Sequence, residues 1–209
     1  MKQLSDEWFA VRLGKVTASR VADVIAKTKT GWGASRANYM SELIVERLTG
    51  QQAEKFTNGA MQWGVEKEPD ARAAYEFRTD YEVTECGFLW HGKIAMTGAS
   101  PDGLVNAGEL GLLEIKCPAT ATHIETLLSG KIPGKYITQM QWQLSCCEAR
   151  TFADFVSYDP RLPESMRLFV KRVPRDDAEI SRLETLVSEF LAELDGKLAA
   201  LRKIYRDAA

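Results

Sequence analysis

Between Asp176 and Tyr205, Ile180, Leu183, Val187, Phe190, Leu194, Leu198 and Leu201 recur every three or four positions among charged residues. This spacing predicts a long C-terminal helix with one apolar stripe. The stripe packs on its own domain or, alternatively, on another subunit, and Gly196 speaks against an unbroken coiled coil. The same period in Met40, Leu43, Ile44 and Leu48 predicts a helix from Ser35 to Thr49, closed by Gly50. Ser5, followed by Asp6 and Glu7, caps a short helix that carries Trp8, Phe9 and Val11 and stops at Gly14; another helix follows Thr17. Ala60 to Thr79 is also helical in character, but Pro69 disfavours helical geometry at Glu68, so a kink or a restart is expected there.

Strand-like runs occupy Glu82 to Trp90, Ile94 to Thr97, Gly103 to Val105 and Leu112 to Cys117, with glycines between them, and suggest an antiparallel meander. Helices are expected at Thr120 to Leu128 and Tyr136 to Cys147, after which strands at Phe152 to Tyr158 and Arg167 to Val173 return the chain to the sheet. Lys27 to Gly33 has turn chemistry and no period, and reads as a loop bearing two cations and Trp32.

With 209 residues, 45% of them hydrophobic and 27% charged, the chain fits one soluble globular domain spanning 1–209. No apolar run approaches the roughly 20 residues of a membrane span, and residues Met1 to Glu7 lack a secretory h-region, so a cytoplasmic protein with no membrane partner is expected. Cys86, Cys117, Cys146 and Cys147 have no Cys-x-x-Cys spacing and read as reduced thiols rather than a disulfide framework, a zinc site or an iron–sulfur cluster. The net charge of -2 conceals a local excess: from Arg12 to Arg36 the cations Arg12, Lys15, Arg20, Lys27, Lys29 and Arg36 face one acid, Asp23. Such a segment is either a solvated face or a surface for phosphates.

Charge of the opposite sign interrupts the most apolar part of the strand region. Asp102 stands at the entry to an expected hairpin turning near Asn106-Ala107-Gly108, and Glu114-Ile115-Lys116 lies on the returning strand. Strand alternation puts Glu114 and Lys116 on one face, with Cα atoms roughly 6.5 to 7 Å apart, and the hairpin brings Asp102 alongside. An isolated Glu-x-Lys is usually a solvent-facing pair worth under ~1 kcal/mol. Here the flanking Ser100-Pro101-Asp102-Gly103 and the apolar neighbours favour a site. Two adjacent carboxylates call for a neutralising cation, and hard oxygens select Mg²⁺ or Mn²⁺, an ion suited to phosphodiester hydrolysis.

Asp102 with Glu114-Ile115-Lys116 resembles the PD-(D/E)xK nuclease motif, and the wider chain resembles the phage lambda-type (alkaline) exonuclease family. The likeness runs from Arg12-Leu13-Gly14-Lys15-Val16-Thr17-Ala18-Ser19, through Trp63-Gly64-Val65-Glu66-Lys67-Glu68-Pro69-Asp70-Ala71-Arg72, to Tyr158-Asp159-Pro160-Arg161. The resemblance implies an α/β, restriction-endonuclease-like core: a mixed β-sheet flanked by helices, with a long C-terminal helix. It assigns Asp102, Glu114 and the Ile115 carbonyl to Mg²⁺, Lys116 to the attacking water, and Glu68 to support of the metal site. Arg12, Thr17 and Ser19 match the segment that receives a terminal 5′-phosphate, an Arg with hydroxyls at a helix start being a good anion pocket. Ser100 and Gln139 match positions near the scissile or terminal phosphate, although Gln139 also reads as a helix-surface residue. Met61 aligns with a wedge against the end base pair, or is a core gap-filler. Lys29 and Trp32 touch duplex DNA or belong to a plain surface loop.

The implied activity is a Mg²⁺-dependent 5′ to 3′ exonuclease on linear double-stranded DNA. The family also implies a ring-shaped homotrimer and a single-strand annealing recombination protein as partner. No Gly-x-x-x-x-Gly-Lys-Ser/Thr loop is present, so ATP is not expected. The competing readings are a site-specific PD-(D/E)xK endonuclease, for which a dimer is expected, and a catalytically inactive DNA-end binding module.

Overall fold

Leu110–Lys116 (β8) is apolar on both faces because it is covered on both. In the computed structural model, which describes residues 1–53 and 59–206, it is the middle strand of a five-stranded sheet. Across the sheet lie Leu168–Pro174 (β10), Phe152–Tyr158 (β9), β8, Gly103–Asn106 (β7) and Glu82–Thr84 (β4). β8 and β9 are parallel, and the other three pairings are antiparallel. Parallel neighbours need a crossover, supplied here by the helices Thr120–Ser129 (α5) and Gly134–Ser145 (α6). The antiparallel run β4–β7–β8 thus continues into a parallel pairing, and the sheet is mixed, as the resemblance implies.

Alternation along β8 sorts its side chains between two cores. Leu113, Ile115 and Cys117 pack with Ala71 and Tyr75 of the helix Gly59–Thr79 (α4). Leu112 packs on the opposite face with Met140 and Leu144 of α6. Burying each leucine fully contributes about 1.5–3 kcal/mol. Glu114, in phase with Leu112, consequently faces α6. Gly111 is required by the same packing, since a Cβ there would stand 2.1 Å from the Phe152 ring.

A third core lies under Asp177–Arg206 (α7), where Leu183, Val187, Phe190, Leu194 and Leu198 meet Val16, Val21, Val24, Tyr39, Leu43 and Trp142. The stripe thus packs within the chain, against Val21–Val24 (α2), Ala34–Thr49 (α3) and α6. Asp176 opens α7, its Oδ1 accepting from the Ala178 and Glu179 N–H groups at 3.1 and 3.0 Å. The N-terminal helix Asp6–Arg12 (α1) is capped as expected by Ser5, whose hydroxyl accepts from the Trp8 N–H at 3.3 Å.

Several expectations need correction. Glu82 to Trp90 is not one strand, because Leu89–Trp90 (β5) belongs to a second sheet with Val16–Thr17 (β1) and Thr97–Ala99 (β6). The break falls near Gly87, where a Cβ would meet the Met1 carbonyl at 2.4 Å. Ile94 to Thr97 shifts to β6, since His91 Nδ1 accepts from the Lys93 and Ile94 N–H groups, 3.1 Å each, and holds that stretch in a turn. Lys27–Thr28 (β2) and Gly31–Trp32 (β3) form a small hairpin rather than a loop. After Thr17 comes a single 3₁₀ turn, Ala18–Arg20, before the short α2. α4 runs through Pro69 as one helix, with no restart. Pro69 is exposed, while Ala71 and Tyr75 of the same helix are wholly buried. Packing of the second half on the sheet outweighs the lost hydrogen bond. All four cysteines are free. No helix among the described residues is long and apolar enough to cross a membrane.

Candidate active site

Glu114 is shut off from solvent, and its carboxylate is held from three directions. Gln139 Nε2 donates to Oε1 at 2.6 Å and Gln143 Nε2 to Oε2 at 2.5 Å, both from α6, while the Lys116 ammonium pairs with Oε1. Strand alternation supplies Lys116, and a spacing of four residues puts both glutamines on one helix face. Gln139, matched above to a phosphate position, thus sits on the central carboxylate. In the sequence, only its four-residue spacing from Gln139 marks Gln143.

Asp102 immediately precedes β7. Its N–H donates to the Leu113 carbonyl at 3.0 Å and its Oδ2 accepts the Ile115 N–H at 2.6 Å, so it is stitched to β8 beside Glu114. Burial, reinforced by Glu114, pushes the Asp102 carboxyl well above the usual range, against the pull of Lys116. Burial alone lowers Lys116, but Glu114 and Asp102 outweigh it and the ammonium is held above its ordinary value. Glu68, half-buried on α4, is raised by burial, with Glu114 and Glu85 adding to the shift and Arg72 and Lys116 opposing it. It accepts from Arg72 Nη2 at 2.8 Å, and the same nitrogen donates to the Asp102 carbonyl at 3.2 Å. Arg72, four residues along α4, is a further participant; it closes the motif that begins at Trp63, but the resemblance gives it no role.

Among the described residues no three His, Cys, Asp or Glu side chains close on one point. Glu68 is turned to Arg72. Two carboxylates and the β8 backbone nevertheless offer hard oxygen donors, the set that Mg²⁺ or Mn²⁺ takes together with water. They carry more negative charge than one ammonium offsets, and Gln143 Oε1 is buried with no partner among the described residues. The donor set fits a divalent cation.

A different pocket begins at Ser100. Its hydroxyl oxygen accepts from Trp8 Nε1 at 2.9 Å and Arg12 Nη1 at 3.3 Å, and the guanidinium lies 3.9 Å from the centre of the Trp8 ring. Arg12 forms no salt bridge with the described residues. Burial pushes it down to about 10, which leaves it cationic at neutral pH. Arg12, Thr17 and Ser19 line a cleft of about 1020 Å³, shared with Trp8 and Phe9. Thr17 makes no side-chain cap bond to the following turn, and its hydroxyl lies 3.5 Å from that of Ser19. Ser19 also lines a cavity of about 420 Å³ with Lys116, Lys135, Tyr136 and Gln139, so the two regions share a wall. Tyr136, with Lys116 5.3 Å and Lys135 4.8 Å from its ring centre, also carried no signal in the sequence.

The remaining expected residues lie apart. Lys29 is exposed in the turn of the β2–β3 hairpin. That hairpin is tied down through Trp32, whose ring has the Arg36 guanidinium at 4.3 Å; Arg36 also lies 5.0 Å from the Phe190 ring and pairs with Glu193 at 2.7 Å. Met61 falls in α4, but its side chain lies outside the described residues.

Comparison with known proteins places this geometry. The model of the YqaJ-like viral recombinase domain matches residues 7–150. The alkaline exonuclease LHK-Exo from Laribacter hongkongensis is 54% identical and superposes with a TM-score of 0.91, the match covering 98% of this chain and 100% of that one. LHK-Exo in complex with dAMP matches equally well. A phage related exonuclease from Haemophilus somnus 129PT is 16% identical with a TM-score of 0.70, covering 90% of this chain and 96% of that one, and shares the fold. No curated protein is matched. The core is the expected restriction-endonuclease-like α/β arrangement with a long C-terminal helix, and the chain belongs to the YqaJ-like viral recombinase domain family, as a nuclease of the phage exonuclease type.

Proposed function

We propose that this chain, acting as one domain over residues 1–209, is a Mg²⁺-dependent 5′ to 3′ exonuclease that degrades one strand of linear duplex DNA from 5′-phosphorylated ends. The observation that carries this reading is the link between the two regions: the hydroxyl that Arg12 holds belongs to Ser100, two residues before Asp102. An anion site and a paired-carboxylate site so joined suit a terminal phosphate at one and the bond to be cut at the other.

Asp102, Glu114 and the Ile115 carbonyl would hold the cation, which when bound neutralises charge on the phosphoryl oxygens and lowers the pKa of water. Gln139 and Gln143 fix Glu114 in one orientation. Lys116 presents an ammonium where negative charge develops and orients the attacking water. Glu68, kept near by Arg72, supports the site from α4. Arg12, Thr17, Ser19 and Ser100 receive the terminal phosphate, Arg12 having no salt bridge among the described residues. Lys29 at its hairpin tip and Met61 at the start of α4 are assigned to the duplex. The dAMP found with LHK-Exo supports release of nucleoside monophosphates.

The surviving 3′ strand would pass to a single-strand annealing protein in phage-type recombination. A homotrimeric ring with a basic lining would reconcile binding of duplex DNA with the net charge of -2. The deciding experiment offers linear duplex with and without a 5′-phosphate, beside closed circles, in Mg²⁺ and in EDTA. Degradation of phosphorylated ends in Mg²⁺ alone is expected. Circles cut as fast as ends would replace the exonuclease with the site-specific endonuclease.

A further inference from the structure

The segment Tyr158-Asp159-Pro160-Arg161 begins at the last residue of β9 and has no part in the mechanism above. Asp159 is fully buried, and its carboxylate clasps Arg161: Oδ1 accepts from the Arg161 backbone N–H at 3.0 Å and from Nε at 2.7 Å, and Oδ2 accepts from Nη2 at 2.9 Å. Nη2 also donates to the Pro118 carbonyl at 3.3 Å. The guanidinium lies over the Trp63 ring of α4, 4.4 Å from its centre. A carboxylate, a carbonyl and an aromatic face thus hold one plane, yet the side chain is 47% exposed and Nη1 carries no partner among the described residues.

A loop staple accounts for the Asp159 bonds alone. It does not account for the ring contact or for a half-exposed side chain whose Nη1 has no partner among the described residues, and an exposed ion pair by itself is worth little. A guanidinium with its plane fixed in advance is a strong phosphate ligand, because little rotamer freedom is left to lose on binding. Its place is also telling. Pro118 is two residues beyond Lys116, at most roughly 7 Å of chain, and Trp63 shares α4 with Glu68. A nucleic-acid strand reaching Asp102, Glu114 and Glu68 meets three carboxylates whose neighbouring cations are engaged, Lys116 with Glu114 and Arg72 with Glu68 and Glu85.

We propose that Arg161 is a positioning residue that binds, through Nη1, the backbone phosphate adjoining the bond to be cut. The inference rests on the nuclease reading. It is tested with the full-length protein in EDTA by anisotropy titration of a labelled, 5′-phosphorylated linear duplex at several salt concentrations. Arg161→Ala is expected to weaken binding about tenfold and to lower the slope of log affinity against log salt by about one. Arg161→Lys should keep the slope and lose part of the affinity. An uncharged methylphosphonate is then placed at each of the first three linkages from the 5′ end. At one linkage the wild type should lose about the same tenfold, with no further loss in Arg161→Ala. Equal losses for both proteins at all three linkages, or an unchanged salt slope in Arg161→Ala, overturn the assignment. Should the alanine variant not fold, Arg161→Lys is read against the same series, and independence at every linkage overturns it equally. A wild-type protein that fails to bind linear duplex at all overturns the nuclease reading as well, whereas normal binding without coupling removes only Arg161.

Discussion

The carboxylate cluster and the arginine pocket are built on opposite rules. Around Glu114 each charged side chain has a protein partner: Glu114 has two glutamines and Lys116, Asp102 has a strand N–H, and Glu68 has Arg72. At Arg12 a mostly buried cation leans on a ring and a hydroxyl and meets no bonded carboxylate. The first region is cross-linked by its own hydrogen bonds and ion pairs; the second leaves its cation without a bonded carboxylate. Under the proposed function, the bonded region does the chemistry and the unmet charge does the recognition.

The sharpest way to break this comparison is to disarm the first region. Glu114→Gln and Lys116→Ala are each expected to lower cleavage at least about a thousandfold while leaving binding of DNA ends in EDTA intact. Lys116→Ala also strands a buried carboxylate, so its unfolding free energy should fall by about 2–4 kcal/mol in denaturant titration. Activity in Lys116→Ala equal to the wild type would remove the lysine from the mechanism.

Arg12→Ala should erase a preference for phosphorylated over hydroxyl ends, worth about 10- to 100-fold in kcat/KM, and leave hydroxyl-ended substrates cut as before. Because Arg12 has no salt-bridged carboxylate among the described residues to strand, the melting temperature of Arg12→Ala should hold or rise, unlike that of Lys116→Ala. Gln143→Leu comes next: loss of one donor to Glu114 should cost about 1–3 kcal/mol of stability, with a smaller fall in rate than Glu114→Gln.

The mildest test is pH. A terminal phosphate gains its second charge near pH ~6, so the preference should be full above that value and shrink below it. Burial lowers Arg12 to about 10, so the guanidinium stays charged across the neutral range and the preference fails on the alkaline side only as pH rises through that value. The ratio of kcat/KM for the two kinds of end, followed from pH 5 to 10, checks both limits.

Local chemistry made the site legible in sequence. Asp102, Glu114 and Lys116 betrayed themselves because a charge inside an apolar hairpin is too costly to keep without a partner or a ligand, and the period of α7 named its buried stripe residue by residue. What escaped depended on distant contacts. The break falls near Gly87, where the distant Met1 carbonyl leaves no room for a Cβ, and the parallel pairing of β8 with β9 is reached by an excursion through α5 and α6. Pro69 misled because its exposed side of α4 bears no load, while Ala71 and Tyr75 anchor the helix to the sheet. The roles of Gln143 and Arg72, fourth neighbours of Gln139 and Glu68, depend on a spacing that acquires meaning once the face of the helix is known.

Only Pro101 separates Ser100 from Asp102. Helices slide and loops swing, but covalent bonds keep their length, and proline restricts the torsions of this stretch further. If the proposed function holds, an anion lodged at the serine and a bond attacked beside the aspartate would be measured off by a ruler made of backbone. Whatever bases pass through, each stroke would remove the same length of strand, because the increment belongs to the protein and not to the text it reads.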